Sequence, residues 1–331
     1  MPSSSSPSPP RLTLFFLLLC LPSLSLSSPH HLARRSATSS SGSLWSRFLH
    51  MLPISRRADA PVAYYSPADA GGSMLTKSPN TYPPAGEPLN VIISGLSTPA
   101  VLKNQEVDGG FLNFMLGVGF AGECLGQHEG EPQTADLGDG TGYVNETAVL
   151  RWDYGDPSLG TCMETIKGGN HFRYWTQDGA SANSSAIFLA TSAEKPIAEQ
   201  HNIIPDGYNL GRDWLIGNMT GSPINTTALT NTSTFEGTTS WAGYVYSSKV
   251  SYVSGLLANS SKGINHADTV PVGGRFAVDG LVAVVEVTIT TIPENATKSA
   301  ALRVMDGMVV GKRVVGAVVT VGMLLLGAMV V

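Results

Sequence analysis

The chain has 331 residues, 42% hydrophobic and only 14% charged, with a formal net charge of −5. From Ala58 to Ala301 there are 24 acidic against 11 basic side chains, a balance of −13, because basic residues concentrate towards the two ends. So acidic a surface repels polyphosphate and argues against a nucleic-acid partner, and the length suits one large or two small domains.

Residues 1–27 read as a secretory signal peptide. Arg11 precedes an apolar run from Leu12 to Leu26, and Ser25-Leu26-Ser27 places small residues where a signal peptidase reads, so cleavage is expected near Ser27. The run is short and contains Pro22, which argues against a retained span. Residues 28–84 are rich in Ser, Pro, Ala and Arg with little periodic hydrophobicity, and are expected to be a disordered pro-region or linker. Its dibasic pairs Arg34-Arg35 and Arg56-Arg57 offer processing sites.

A globular extracellular domain is expected over residues 85–293. Leu89 to Ser94 has the apolar, β-branched content of a buried strand, and Phe111, Leu112, Phe114, Met115 and Val118 recur at helical spacing between Gly109-Gly110 and Gly119. Short strands are predicted over Ala148 to Trp152, Met163 to Ile166, His171 to Trp175 and Ala186 to Thr191, and a second helix over Asp206 to Asn218. A Thr/Asn-rich stretch from Gly221 to Ser233 reads as a glycosylated surface loop. Ser240 to Val253 and Leu281 to Thr291 read as the closing strands. The expected fold class is α+β: a mixed, mainly antiparallel sheet with a few packing helices and one disulfide.

Of three cysteines, Cys20 leaves with the signal peptide, so Cys124 and Cys162 remain to pair in an oxidising compartment. Seven N-x-S/T sequons, at Asn145, Asn183, Asn218, Asn225, Asn231, Asn259 and Asn295, fit the same route. Residues 294–313 read as a spacer carrying a candidate lipid-anchor site at Ser299, the first of three small residues, Ser299-Ala300-Ala301. Residues 314–331 form an uncharged hydrophobic tail, about 27 Å long as a helix. No hydrophilic residue follows it, which favours a cleaved glycolipid-anchor signal over a retained transmembrane helix. The expected location is the cell surface, on the outer face of the plasma membrane or in the cell wall, with the membrane as partner through this anchor.

The segment Glu123 to Glu131 sets His128 among carboxylates, and His171 and His201 come after it. Imidazole and carboxylate are donors for zinc or a non-haem metal. No H-E-x-x-H spacing accompanies them, so no metal site and no cofactor is assigned, and a polar loop beside the disulfide is the preferred reading. On a strand, His171, Arg173 and Trp175 share one face and Phe172 and Tyr174 the other. Arg173 is expected to pair with an internal acid such as Asp206 or Asp213, the alternative being an anion bound by its guanidinium fork. Asp139-Gly140-Thr141-Gly142 reads as a turn rather than a calcium loop. The nucleophile elbow, the phosphate-binding loop and a dinucleotide glycine fingerprint following a strand do not occur.

The tract Asn170-His171-Phe172-Arg173-Tyr174-Trp175, then Ser185 to Ala190, then His201-Asn202-Ile203-Ile204-Pro205-Asp206 leading to Arg212-Asp213, resembles the LssY C-terminal domain family in its order of elements. With Cys124, the same tracts are similar to uncharacterised secreted proteins of basidiomycete fungi. Both resemblances imply a shared fold and bring no established activity. The expected function is therefore that of a membrane-anchored fungal surface glycoprotein with a binding or structural role. The alternative is an extracellular, metal-dependent hydrolase using His128, His171, Arg173, His201 and Asp206, which requires those side chains to converge in one open pocket.

Overall fold

The computed structural model describes residues 60–296, apart from 80, 82–83, 128–129 and 295. The signal peptide, His128, Asn295, Ser299 and the C-terminal tail lie outside the described residues. The strands are β1 (Leu89–Ile93), β2 (Phe120–Gly122), β3 (Thr134–Ala135), β4 (Val144–Asn145), β5 (Ala148–Trp152), β6 (Gly169–Thr176), β7 (Ile187–Glu194), β8 (Thr234–Trp241), β9 (Tyr244–Ser254) and β10 (Leu281–Thr291). The helices are α1 (Phe111–Val118), α2 (Gly160–Lys167) and α3 (Gly207–Thr220). Eight strands form one sheet in the order β2-β5-β6-β7-β1-β10-β9-β8, and β3 and β4 pair separately. Within that sheet β1 and β10 run parallel and every other neighbouring pair antiparallel, so the fold is α+β with a mixed, mostly antiparallel sheet.

Both faces of the sheet are buried. On one face Val91, Ile93, Phe172, Tyr174, Leu189 and Val285 pack beneath α1 and α3, which contribute Phe111, Phe114, Met115, Leu215, Ile216 and Met219. Helix α1 touches both edge strands, β2 and β8, so the sheet bends around it. The opposite face, with Leu89, Ile92, Trp175, Phe188 and Val282, is covered by loop residues such as Ile203, Leu257 and Val270. A bulge lets β1 serve both layers: its register shifts between Leu89 and Val91, and the Asn90 side chain fills the gap. The Asn90 amide donates to the carbonyls of Thr191 and Tyr208 and accepts from the Thr191 N–H, so the interrupted ladder leaves few buried polar groups unpaired.

Three sequence-based expectations are corrected. Met163 to Ile166 is helical, as part of α2; Gly160 opens that helix so close to β5 that a Cβ there would fall 1.4 Å from the Asp153 carbonyl oxygen. The region from Ser240 to Val253 is not one strand but crosses a hairpin turn: Ser240 and Trp241 end β8, Ala242 and Gly243, both at positive φ, make the turn, and β9 follows. The segment 60–84, expected to be disordered, lies against the sheet: Met74 is buried, its carbonyl accepts from Leu89 N, and Thr76 N donates to Glu87 O. Backbone hydrogen bonds hold that segment without any periodic apolar pattern. Among the described residues no helix is long and apolar enough to cross a membrane.

Candidate functional site

Strand pairing assembles the most concentrated group of ionisable side chains. Arg151 of β5 lies opposite His171 of β6, and His171 lies opposite Ser192 of β7. Because side chains alternate along a strand, these three and Glu194, two residues beyond Ser192, leave the same face near one end of the sheet. Helix α2 adds Glu164, and the disulfide Cys124–Cys162 ties that helix to the turn beside Glu123. His201 enters from the loop after β7, where Gln200 and His201 are consecutive non-glycine residues in the left-handed region, at φ 64° and 51°. That conformation carries strain which the surroundings must impose.

Arg151 is the hub. Its Nη1 donates to Glu164 Oε2 at 2.9 Å and to Glu194 Oε2 at 3.3 Å, while Nε and Nη2 both reach Glu123 Oε1 at 3.3 Å. Glu194 Oε2 also lies 3.5 Å from His171 Nδ1 and 3.4 Å from His201 Nδ1. His171 Nε2 faces the Ser192 hydroxyl at 3.4 Å. Two buried atoms, Glu164 Oε1 and His171 Nδ1, have no hydrogen-bond partner. Glu164, His171 and Glu194 each offer one ligand atom within 4.8 Å of the others, the group among the described residues whose spacing could hold a metal ion.

The electrostatics divide these groups. Burial pushes the Glu164 carboxyl up to about 7, against the pull of Arg151. Burial also opposes the ionisation of Glu194, but His171, His201 and Arg151 outweigh it and hold that carboxyl down to about 2. Burial drives His171 down to about 3, against the attraction of Glu194, whereas contact with Glu194 raises His201 above the ordinary imidazole value. Two carboxyls driven apart in this way are suited to acid and base roles. Access is what the cluster lacks: the Glu164 and His171 side chains are 0% and 1% exposed, so no organic substrate reaches them.

The sequence-derived candidates therefore separate. His171 and His201 converge on Glu194, and His128 lies outside the described residues. Arg173 pairs with Glu146 rather than with Asp206 or Asp213. Asp206 instead accepts from Arg275 at 2.7 Å, and Asp213 binds its neighbour Arg212. The face bearing His171 and Arg173 is covered too: His171 and Trp175 are buried and Arg173 is half-buried. Sequence reasoning missed Glu123, Arg151, Glu164 and Glu194. The available signal was an arginine inside the apolar run of β5 and a glutamate ending the apolar run of β7. Asp139 forms the expected turn, its Oδ1 accepting from both the N–H and the hydroxyl of Thr141.

A cleft of about 810 Å³ opens where β2 and β5 approach Trp241 of β8, with Glu123 of the ionisable cluster in its wall. Leu112, Phe120, Tyr174 and Trp241 line it, with Asn145 and Glu146 alongside. Of the six described sequon asparagines, Asn145, Asn183, Asn225, Asn231 and Asn259 are exposed and Asn218 is half-buried. Compared with family models, curated proteins and solved structures, the chain has no significant match in any of the three.

Proposed function

We propose that this is a secreted, N-glycosylated fungal surface protein, tethered through its C-terminal segment, whose domain binds a ligand or serves structurally rather than catalysing a reaction. On the tracts between Asn170 and Asp213, the same proposal includes kinship with the LssY C-terminal domain family at the level of fold. The observation that carries the non-catalytic reading is the use made of the candidate catalytic groups. Arg173 and Asp206 are spent on ion pairs with other side chains of the chain, and His171 and His201 sit with Glu194 in a closed cluster rather than in the open cleft. The cleft, with its aromatic wall, is the face assigned to ligand binding. Five exposed sequon asparagines and a formed disulfide accord with folding in the secretory lumen.

The test uses the full chain expressed in a fungal host. Release from intact cells by a phosphatidylinositol-specific lipase, with a mass decrease on enzymatic deglycosylation, is the expected result; extraction by detergent alone assigns a retained helix and refutes the lipid anchor. A cytosolic, carbohydrate-free product with reduced thiols overturns the whole reading. Turnover of ester, peptide or glycoside reporters that disappears in Glu194→Gln would transfer the assignment to the hydrolase.

A further inference from the structure

The buried cluster sets three carboxyl groups, those of Glu123, Glu164 and Glu194, around one guanidinium, that of Arg151. Buried charge of one sign is costly unless it is paired or coordinates a metal. The Glu164 side chain, wholly buried, directs Oε2 to Arg151 and leaves Oε1 without a partner; His171, also buried, leaves Nδ1 without a hydrogen bond. Among the described residues, Glu164, His171 and Glu194 form the group in which one ligand atom of each lies within 4.8 Å of the others.

We propose that Glu164, His171 and Glu194 bind one divalent first-row transition ion, with zinc the best match. Ligands about 2.1 Å from a tetrahedral ion stand about 3.4 Å apart, and Glu194 Oε2 is 3.5 Å from His171 Nδ1. An imidazole with two carboxylates favours zinc or its neighbours over calcium or magnesium, which prefer all-oxygen shells. Ser192 supplies the outer support: with the Ser192 hydroxyl accepting from Nε2–H, His171 holds the tautomer that leaves Nδ1 as the ligand atom. The ion's positive charge offsets the clustered carboxylates, and Arg151 keeps its contact with Glu164 Oε2. Entry runs past Glu194 and His201, the more exposed side chains of the group at 12% and 18%. The inference does not depend on anchoring or on the choice between binding and catalysis.

The test is zinc uptake by the purified, glycosylated protein after dialysis against a chelator, followed by calorimetric titration with zinc chloride and by melting with and without zinc. The expected result is about one equivalent bound, a higher melting temperature with zinc, and at least about 10-fold weaker binding in Glu164→Gln. Glutamine keeps the carbonyl that accepts from Arg151, so this variant is expected to fold; the wild-type stoichiometry tests the proposal even if it does not. Substoichiometric uptake by folded wild type hands the charge balance to protons and overturns the proposal. Equal affinity in wild type and Glu164→Gln places the ion elsewhere and overturns it too.

Discussion

Arg212 shows how this chain spends its few charges. It is 1% exposed, grips Asp213 and Asp279 with both faces of its fork, donates to the Leu281 carbonyl, and lies 5.2 Å above the Tyr252 ring. Removing one partner of a buried ion pair strands the others, at about 3–5 kcal/mol. Arg212→Ala is therefore expected to lower stability by that amount in a denaturant titration, and Arg212→Lys by less, since charge survives while the fork is lost. Glu87 supplies the contrast. It is buried, Oε2 has no partner, and burial raises its carboxyl pKa despite the pull of Arg173. The unfolded carboxyl titrates near 4.5 and the folded one higher, so this group's stabilising contribution is complete below 4.5 and is lost as pH rises through the folded value. Glu87→Gln, which imitates the neutral acid, is expected to raise stability at pH 7 to 8 and to flatten that slope, which for one group cannot exceed about 1.4 kcal/mol per pH unit. A variant as pH-dependent as wild type would remove Glu87 from the account.

The elements show where local pattern suffices. β1, α1, β6, α3 and β10 arise from apolar runs and helical spacing bounded by glycines, because each signal lies within one element. Local pattern alone reads α2 as a strand, because four residues, Met163 to Ile166, cannot distinguish the two periods. The disulfide to Cys124, remote in sequence, is what a local reading lacks. Replacing both cysteines by serine is expected to cost about 4 kcal/mol in the chain-entropy model for a separation of 38 residues, read from the denaturation midpoint of the oxidised and mutant proteins. Helix α3 makes an opposite point about propensity. Alanine at Gly211 gains about 1 kcal/mol in an exposed helix, but a Cβ here would stand 2.6 Å from the Ser192 carbonyl carbon on β7. Overpacking of that kind costs about 1–3 kcal/mol. Gly211→Ala is thus expected to destabilise and, by displacing Ser192, to disturb His171; a more stable variant would show that the helix shifts freely.

Across the molecule, the feature hidden in the sequence was pairing between distant segments. The first long strand lies beside the last, Val91 opposite Ala283, and Arg151, His171, Glu164 and Glu194 meet only after β5, β6, β7 and α2 have found one another. No spacing in the chain encodes that meeting, whereas the cysteine pair was legible because two thiols leave one pairing. The same topology places the last described strand in the middle of the sheet. Strand β10 is an interior strand with Val282, Ala283, Val285 and Val287 fully buried, bonded to β1 on one side and β9 on the other. Its last residue, Thr291, and Ile292 after it are already exposed. A secreted chain ending at Ala296 is accordingly expected to fold, with the disulfide formed and one cooperative thermal transition, and to appear in the medium rather than at the cell surface. A chain ending at Gly280 leaves β1 and β9 without their shared neighbour and is expected to lose that transition. Near-ultraviolet circular dichroism of the two products checks the pair of outcomes. Should the longer chain also fail to fold, the segment after Ala296 would belong to the domain's core and not to its tether.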